Sequence, residues 1–334
     1  MVTMSPKASE SVRTVSATID SQQIDAGNHS GIPIVFIHKN YSPYLEFTLR
    51  QAAFSNPNSP IYLLGDDQNN RFPFLIHRQI DAYENPDSDY FKKVYEHYSP
   101  NHYDYELFCF IRWYLVRELM KREGFSEVFV ADSDVMIYAN ITEYISQTGL
   151  RNTIAAFNIG SDYQWVRSAS GHSSYWTWEG IELFCKLAAD LYTEPRLRTF
   201  MEQIRSEKII KNDRAGISDM TALYVFYEQE KARIRNLSEC RDDTAFDHNI
   251  CMATNFNLDE YEFGLGQKKV VIKKGYPVAY NRLLKKEIRL HTLHFQGNSK
   301  KLIHRYFTAN GLLARKLFRE FRFLASVLYH MVRS

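Results

Sequence analysis

The chain has 334 residues, 45% of them hydrophobic and 14% aromatic, enough apolar material for one large core or two small ones. Its formal net charge of +2 supplies no global field for nucleic acid or an anionic membrane. Cys109, Cys185, Cys240 and Cys251 fall into no CxxC or zinc-ligand spacing, which argues against a disulfide scaffold or zinc module and for reduced thiols in a cytoplasmic protein.

Residues 1–30 are polar, lack a signal-peptide core and read as a disordered leader, and no window is apolar enough to span a bilayer. From Ile32 short apolar runs alternate with helical periods, the pattern of a layered α/β domain, expected over residues 31–309 without an internal linker. "IPIVFIH" predicts a buried strand, "SPYLEFTLRQAAFS" a helix with Pro43 in its first turn, and "PIYLLGD" a second strand ending at Gly65 and Asp66. A weaker strand, "FLIHRQI", is followed by a polar, tyrosine-rich connection from Asp81 to Tyr103. "YELFCFIRWYLVRELMKREG" predicts a long helix that stops at Gly124 and leads into the strand "EVFVADSD". Downstream, "NTIAAFN" predicts a strand, "WEGIELFCKLAADLYT" and "ISDMTALYVFYEQE" helices, "KKVVIKKGYPVAYN" and "EIRLHTLHF" strands or a hairpin, and residues 310–334 a helical tail.

The chemistry starts at Asp132 and Asp134. On a strand they project to one face while Ser133 points away, and two like charges so close call for a cation. Mg²⁺ or Mn²⁺ commonly bridges protein carboxylates to substrate phosphates; the competing reading is a solvated Asp-Ser-Asp turn that closes the strand. The carboxyl end of a strand in a strand, helix, strand series is where open α/β sheets place ligands. "HTLHFQGNSKKL" offers a third ligand. His291 and His294 face opposite ways on a strand, and His294, nearer its end, is the candidate. Gly297 lets a backbone approach a ligand and Lys300 brings a compact charge that meets a phosphate, against a plain turn and a solvated helix start.

"ADSDV" resembles the DxD motif of nucleotide-sugar glycosyltransferases of the GT-A fold, and "HFQGNSK" is similar to the H-x-x-G-x-x-K motif of the glycogenin-like galactosyltransferase family. The resemblance covers Ile32 to about Leu302. It implies a GT-A-like (Rossmann-like) mixed, mainly parallel sheet flanked by helices. It also implies Mn²⁺ or Mg²⁺ held by Asp132, Asp134 and His294, with Asp132, Ser133, Gly297 and Lys300 on the donor. Arg112, on the helix before the acidic pair, would approach the donor or pair at the core edge. Ile37, His38 and Tyr41 would surround base and ribose; Asp66 would accept from uracil or ribose, unless it only forms a turn.

On the acceptor side, "GHSSYWTWEG" offers Trp176, Trp178 and Glu179 as a sugar-stacking platform, or else as core. "GISDMTALYVF" resembles the D-Q-x-x-L-N-like helix of several GT-A families, which nominates Asp219 beside the anomeric carbon. Asp219 or Glu179 would be the general base of an inverting enzyme; the histidine motif favours retention, where that carboxylate only stabilises or orients. The expected function is hexosyltransferase-like: a sugar moves from a nucleotide diphosphate donor, UDP-linked, to a hydroxyl of a carbohydrate or lipid-linked acceptor, with no nucleic-acid partner. The rivals are a sugar nucleotidyltransferase, against which "HKNYSPY" lacks a glycine-rich basic loop, and a non-catalytic carbohydrate-binding protein. The tail from Leu312 gathers leucines and phenylalanines opposite arginines, a face that packs on the domain or rests on a membrane.

Overall fold

Alternation within the first apolar run explains how the central sheet is covered. Strand β1 (Ile34–His38) turns Val35 to one side and Ile34 and Phe36 to the other, and all three are wholly buried. The computed structural model describes residues 30–160, 167–210, 216–255, 258–309, 312, 316–320 and 322–323. The leader expected over residues 1–30 lies outside them except for Ser30, as does most of the expected tail, of which residues 316–320 are helical.

After β1 come α1 (Leu45–Ser55), β2 (Ile61–Gly65), β3 (Ile76–Gln79), α2 (Pro86–Val94), α3 (Tyr103–Glu123), β4 (Glu127–Asp132), β5 (Val135–Ile137), α4 (Ile141–Thr148) and β6 (Ala155–Ile159). Then follow β7 (Ala169–Thr177), α5 (Trp178–Thr193), α6 (Pro195–Ile210), α7 (Asp219–Gln229) and β8 (Ile234–Asn236). The seven-stranded sheet has the order β3-β2-β1-β4-β7-β6-β8. β3, β2, β1 and β4 are parallel, β7 is antiparallel to both its neighbours, and β8 is parallel to β6. This is the mixed, mainly parallel α/β sheet expected from the sequence.

One face packs Val35, Val128 and Val130 against Phe110, Trp113, Phe184 and Phe226 of α3, α5 and α7. The other packs Ile34, Phe36 and Phe129 against Leu45, Leu49, Ile141 and Ile145 of α1 and α4. A third apolar cluster lies beneath a four-stranded sheet, β12-β13-β14-β9, built from β9 (Thr244–Ala245), β12 (Val270–Lys273), β13 (Tyr276–Asn281) and β14 (Lys286–Leu290). A two-stranded ribbon, β10 (Phe263–Gly264) and β11 (Gln267–Lys268), flanks it, and β15 (Thr292–His294) leaves to pair with β5. Among the described residues no helix is long and apolar enough to cross a membrane.

Three expectations change. The tyrosine-rich connection contains α2, started by a capping box in which Asn85 accepts from the N–H groups of Asp87 and Ser88. "GHSSYWT" lies on the central strand β7, where Gly171 is needed because a Cβ there would sit 2.5 Å from the Trp113 ring. Ser133 and Asp134 form a turn between β4 and β5 instead of continuing the strand, so the two carboxylates converge by a reversal and not by period-two alternation.

Candidate functional site

The reversal after β4 assembles the site. β5 runs back from the turn and pairs antiparallel with β15, setting Val135 opposite His294. Phe295 N–H donates to the Asp134 carbonyl at 3.1 Å and locks this crossing. One ligand atom each from Asp132, Asp134 and His294 lies within 4.8 Å of the others. His294 Nε2 is 3.6 Å from Asp134 Oδ1, and Lys300 Nζ is 3.0 Å from Asp134 Oδ2. The turn that returns Lys300 begins at Gly297, whose φ of +60° lies in the left-handed region that glycine enters freely.

His294 is fixed at its other nitrogen. Nδ1 is 2.8 Å from the His248 carbonyl, which can only accept, so Nδ1 carries a proton and Nε2 is the nitrogen turned to the carboxylates. Metal-ligating histidines donate their other ring N–H in the same way. His172 on β7 stacks flat on His294, ring centres 4.1 Å apart.

Arg112 lies across the two acids rather than in open space: Nη1 is 2.5 Å from Asp132 Oδ1 and Nη2 is 2.9 Å from Asp219 Oδ2. Burial disfavours the charged form of Asp132, yet Arg112, His294 and His172 more than offset it and hold this carboxyl below its ordinary value. For Asp219 burial wins over Arg112 and pushes the carboxyl up to about 6. Asp219 is 4% exposed, and its Oδ2 also accepts from Trp113 Nε1 at 3.4 Å. Asp219 further groups with Glu106 and Cys109, but Glu106 already accepts from Ser99 and Asn101, each at 2.9 Å. Burial would lower Lys300, and Asp134 more than compensates, keeping the ammonium charged.

The wall toward β1 is polar. His38 Nδ1 is 2.8 Å from Ser133 Oγ, and the Tyr44 hydroxyl is 3.4 Å from the same oxygen. Thr48 Oγ1 donates to the Ser133 carbonyl at 2.8 Å, which pins the turn onto α1. His38 Nε2 is buried without a hydrogen-bond partner among the described residues. Ile37 is the β1 partner of Asp132, so it sits at the same sheet end. Tyr41 lies under the Arg71 guanidinium, 4.3 Å away. Asp66 Oδ2 accepts from Asn40 N–H at 2.5 Å and Oδ1 from Gln68 N–H at 3.0 Å, the contacts of a turn-forming residue.

Glu179 is not brought to the site. β7 runs antiparallel to β4 and sets Thr177 beside Glu127, so Glu179 emerges at the opposite end of the sheet, where it pairs with Arg233. Five residues at about 3.3 Å each separate Glu127 from Asp132, roughly 16 Å along the strand. Trp178 starts α5 at that remote end, and Trp176 is fully buried against Trp113, so neither forms a platform at the acidic pair. Sequence reasoning missed His172, Tyr44, Thr48, Asp247, His248 and Lys268. Each is a single residue far along the chain from the acidic pair, and no short spacing marks it.

No protein-family model and no curated protein matches the chain. Among solved structures the chain is similar to mouse xyloside xylosyltransferase 1 in its apo form, at 9% identity over 62% of this chain and 85% of that one, TM-score 0.43. It is similar to an active-site mutant of LgtC at 12% identity over 87% of this chain and 96% of that one, TM-score 0.42. It is also similar to the apo form of the glycosyltransferase GlyE of Streptococcus pneumoniae TIGR4 at 10% identity over 89% of this chain and 64% of that one, TM-score 0.39. At such identities the case for a function lies in the side chains gathered around Asp134.

Proposed function

We propose that the chain is a divalent-cation-dependent glycosyltransferase, hexosyltransferase-like, that moves a sugar from a UDP-linked or other nucleotide diphosphate donor to a hydroxyl of a carbohydrate or lipid-linked acceptor. One observation carries the reading: Asp132, Asp134 and His294 offer ligand atoms within 4.8 Å of one another, and Lys300 lies against the same carboxylate. The donor set fits Mn²⁺ or Mg²⁺, because two carboxylates supply hard oxygens and His294, bonded through Nδ1, turns Nε2 toward them. Asp132, Asp134 and His294 would hold the ion. When bound it neutralises charge on a leaving diphosphate.

The remaining roles belong to the protein. Lys300 already lies 3.0 Å from Asp134 and would turn its ammonium to the diphosphate, a charge-assisted contact that strengthens as negative charge develops. His38 Nε2, Ser133 and Tyr44 form a polar wall for base and ribose, beside Ile37 and Tyr41. Arg112 keeps Asp132 ionised and oriented. With 4% exposure and two donors on one oxygen, Asp219 suits an orienting or stabilising role better than that of a general base facing an acceptor hydroxyl. The remote Glu179 leaves no other nominated base, which favours retention.

A sugar nucleotidyltransferase is the less favoured reading. The backbone of the loop after β1 is tied to the Asp66 and Asn69 side chains that follow β2, and this loop carries no glycine-rich phosphate cradle. Thermal unfolding in a panel of nucleotide sugars with and without Mn²⁺ tests the proposal, since a ligand of the folded state raises apparent stability by mass action. A Mn²⁺-dependent shift with a UDP-sugar, followed by slow donor hydrolysis, is the expected result. Stabilisation without hydrolysis or transfer would favour a binding protein, and no shift with any donor would overturn the reading.

A further inference from the structure

The segment Asp247–Cys251 runs between β15 and β11 and is bonded to both. Ile250 N–H donates to the His294 carbonyl at 2.9 Å, and Lys268 N–H donates to the Ile250 carbonyl at 2.7 Å. Within this layer Lys268 and Asp247 form an ion pair whose side chains are 2% and 0% exposed. Lys268 Nζ also lies 4.2 Å from the centre of the Tyr261 ring. Taking two charges so far out of water is costly, and a matched apolar pair is often as stable or more so. Stability alone is therefore a weak reason for the pair.

Hydrogen bonds from Asp247 and its neighbour lead to His294, directly or through His172. Asp247 Oδ2 accepts from the His294 backbone N–H at 3.1 Å, and the neighbouring His248 carbonyl accepts from His294 Nδ1–H at 2.8 Å. The Asp247 carbonyl accepts from His172 Nε2 at 3.0 Å, while His172 Nδ1 is 2.7 Å from Ser170 Oγ. His172, so held, stacks on His294 with the rings 15° from parallel. Backbone, tautomer and ring plane of His294 are thus each set by a group on, or bonded to, Asp247 and its neighbour. Lys268 is bonded to the other carboxylate oxygen, Asp247 Oδ1, and so holds that carboxylate in place.

We propose that Asp247 and Lys268 are positioning residues that hold His294 as its Nδ1–H tautomer with Nε2 turned to Asp132 and Asp134, so that removing their charges weakens the grip on a divalent cation. This rests on the metal reading above. The test is the full-length double variant Asp247→Asn/Lys268→Met. Asn keeps an acceptor for the His294 N–H, and Met keeps the apolar stem against Tyr261. Calorimetric titration with Mn²⁺ alone is expected to give an affinity about 10- to 100-fold weaker than wild type, the usual effect of disturbing groups that orient a ligand. An unchanged Mn²⁺ affinity in the folded variant overturns the proposal.

The imidazole ¹⁵N shifts of His294 in the metal-free wild type give a readout that needs no variant. A proton on Nδ1, the nitrogen that faces the His248 carbonyl, is expected, and an unprotonated Nδ1 overturns the proposal even if the double variant fails to fold. Failure of the metal reading looks different: wild type itself then takes up no Mn²⁺, whereas failure of the positioning role leaves wild-type uptake, and its loss in Asp134→Ala, intact.

Discussion

Strand β4 carries a carboxylate cluster at each end, and both clusters pair acids with arginine. At its amino end Glu127 pairs with Arg151 at 2.8 Å and accepts from the Tyr175 hydroxyl at 2.7 Å, while Glu179 nearby pairs with Arg233. At its carboxyl end Arg112 joins Asp132 to Asp219, and Lys300 meets Asp134. The difference is exposure and convergence. Arg151 and Glu179 have side chains 54% and 59% exposed, so their pairs are water-screened and worth about 0–1 kcal/mol each. Asp134 and His294 are 9% and 8% exposed and point at a common space, where neutralising one acid still leaves ligand atoms directed at that space. Acid–arginine pairing does not distinguish the two clusters; the strand reversal after Asp132, which brings in His294 and Lys300, does.

The same contrast appears between two histidines three residues apart. His294 has Nδ1 used and Nε2 directed at carboxylates. His291 is packed between the rings of Tyr144 and Phe246, at 4.6 and 5.0 Å, with no partner on either nitrogen among the described residues. Burial, and then Arg289, lowers its pKa from 6.5 to about 4.

The largest effect is expected at Asp134. Asp134→Ala removes a charge and the carboxylate that both His294 and Lys300 approach, so transfer and Mn²⁺-dependent stabilisation by a nucleotide sugar should both disappear. Retention of full activity, or indifference of wild type to excess chelator, would make the two ends of β4 functionally equivalent after all.

Next comes His291, where the effect is on stability. Between pH 6.5 and about 4 the unfolded chain binds a proton that the folded chain refuses, so stability falls as pH drops through that window. A shift of this size amounts to about 3 kcal/mol once the window is crossed. His291→Phe should flatten that part of the profile, read as denaturant midpoint against pH, without altering Mn²⁺ affinity. An unaltered slope would mean that His291 finds a partner in solution.

Much of this architecture was legible because the strongest signals are local. Apolar runs gave β1, β2, β4 and β6. Helical period with a stop at Gly124, whose φ is +71°, gave α3, and the parity of His291 and His294 separated the histidine that faces the acidic pair from the one that does not. What was not legible is strand direction. Trp176 and Glu179 follow His172 within a few residues, but the antiparallel run of β7 places His172 at the site and Glu179 at the far end. β7 also hid because Ser170, Gly171, His172, Ser173 and Ser174 are buried polar or small residues, invisible to a search for apolar alternation. Asp247 and Lys268 owe their meaning to pairing across the fold, and no spacing announces that.

Lys300 sharpens the comparison at intermediate magnitude. Its ammonium lies 3.0 Å from Asp134 and 38% exposed, half open to whatever the carboxylates face. A charge-assisted contact to a diphosphate is worth roughly 1.5–3 kcal/mol. Lys300→Ala should therefore weaken a nucleoside diphosphate by about ten- to a hundredfold in calorimetry. Equal affinity would reduce Lys300 to a structural partner of Asp134.

The smallest effect belongs to Glu179, and its smallness is the informative part. Glu179→Gln keeps the size of the side chain, removes the charge facing Arg233, and leaves Arg233 its second partner, Glu230, at 3.1 Å. Surface changes of this kind stay within about 0.5 kcal/mol. Because β7 carries this residue to the amino end of β4, transfer rate and its pH profile should match wild type. If they do not, the acceptor reaches across the sheet or a second chain brings this end to the site, and the separation of the two ends fails. The control is Glu127→Gln, on the same end but bonded to Tyr175 and Arg151. It should cost some stability and, for the same geometric reason, no activity.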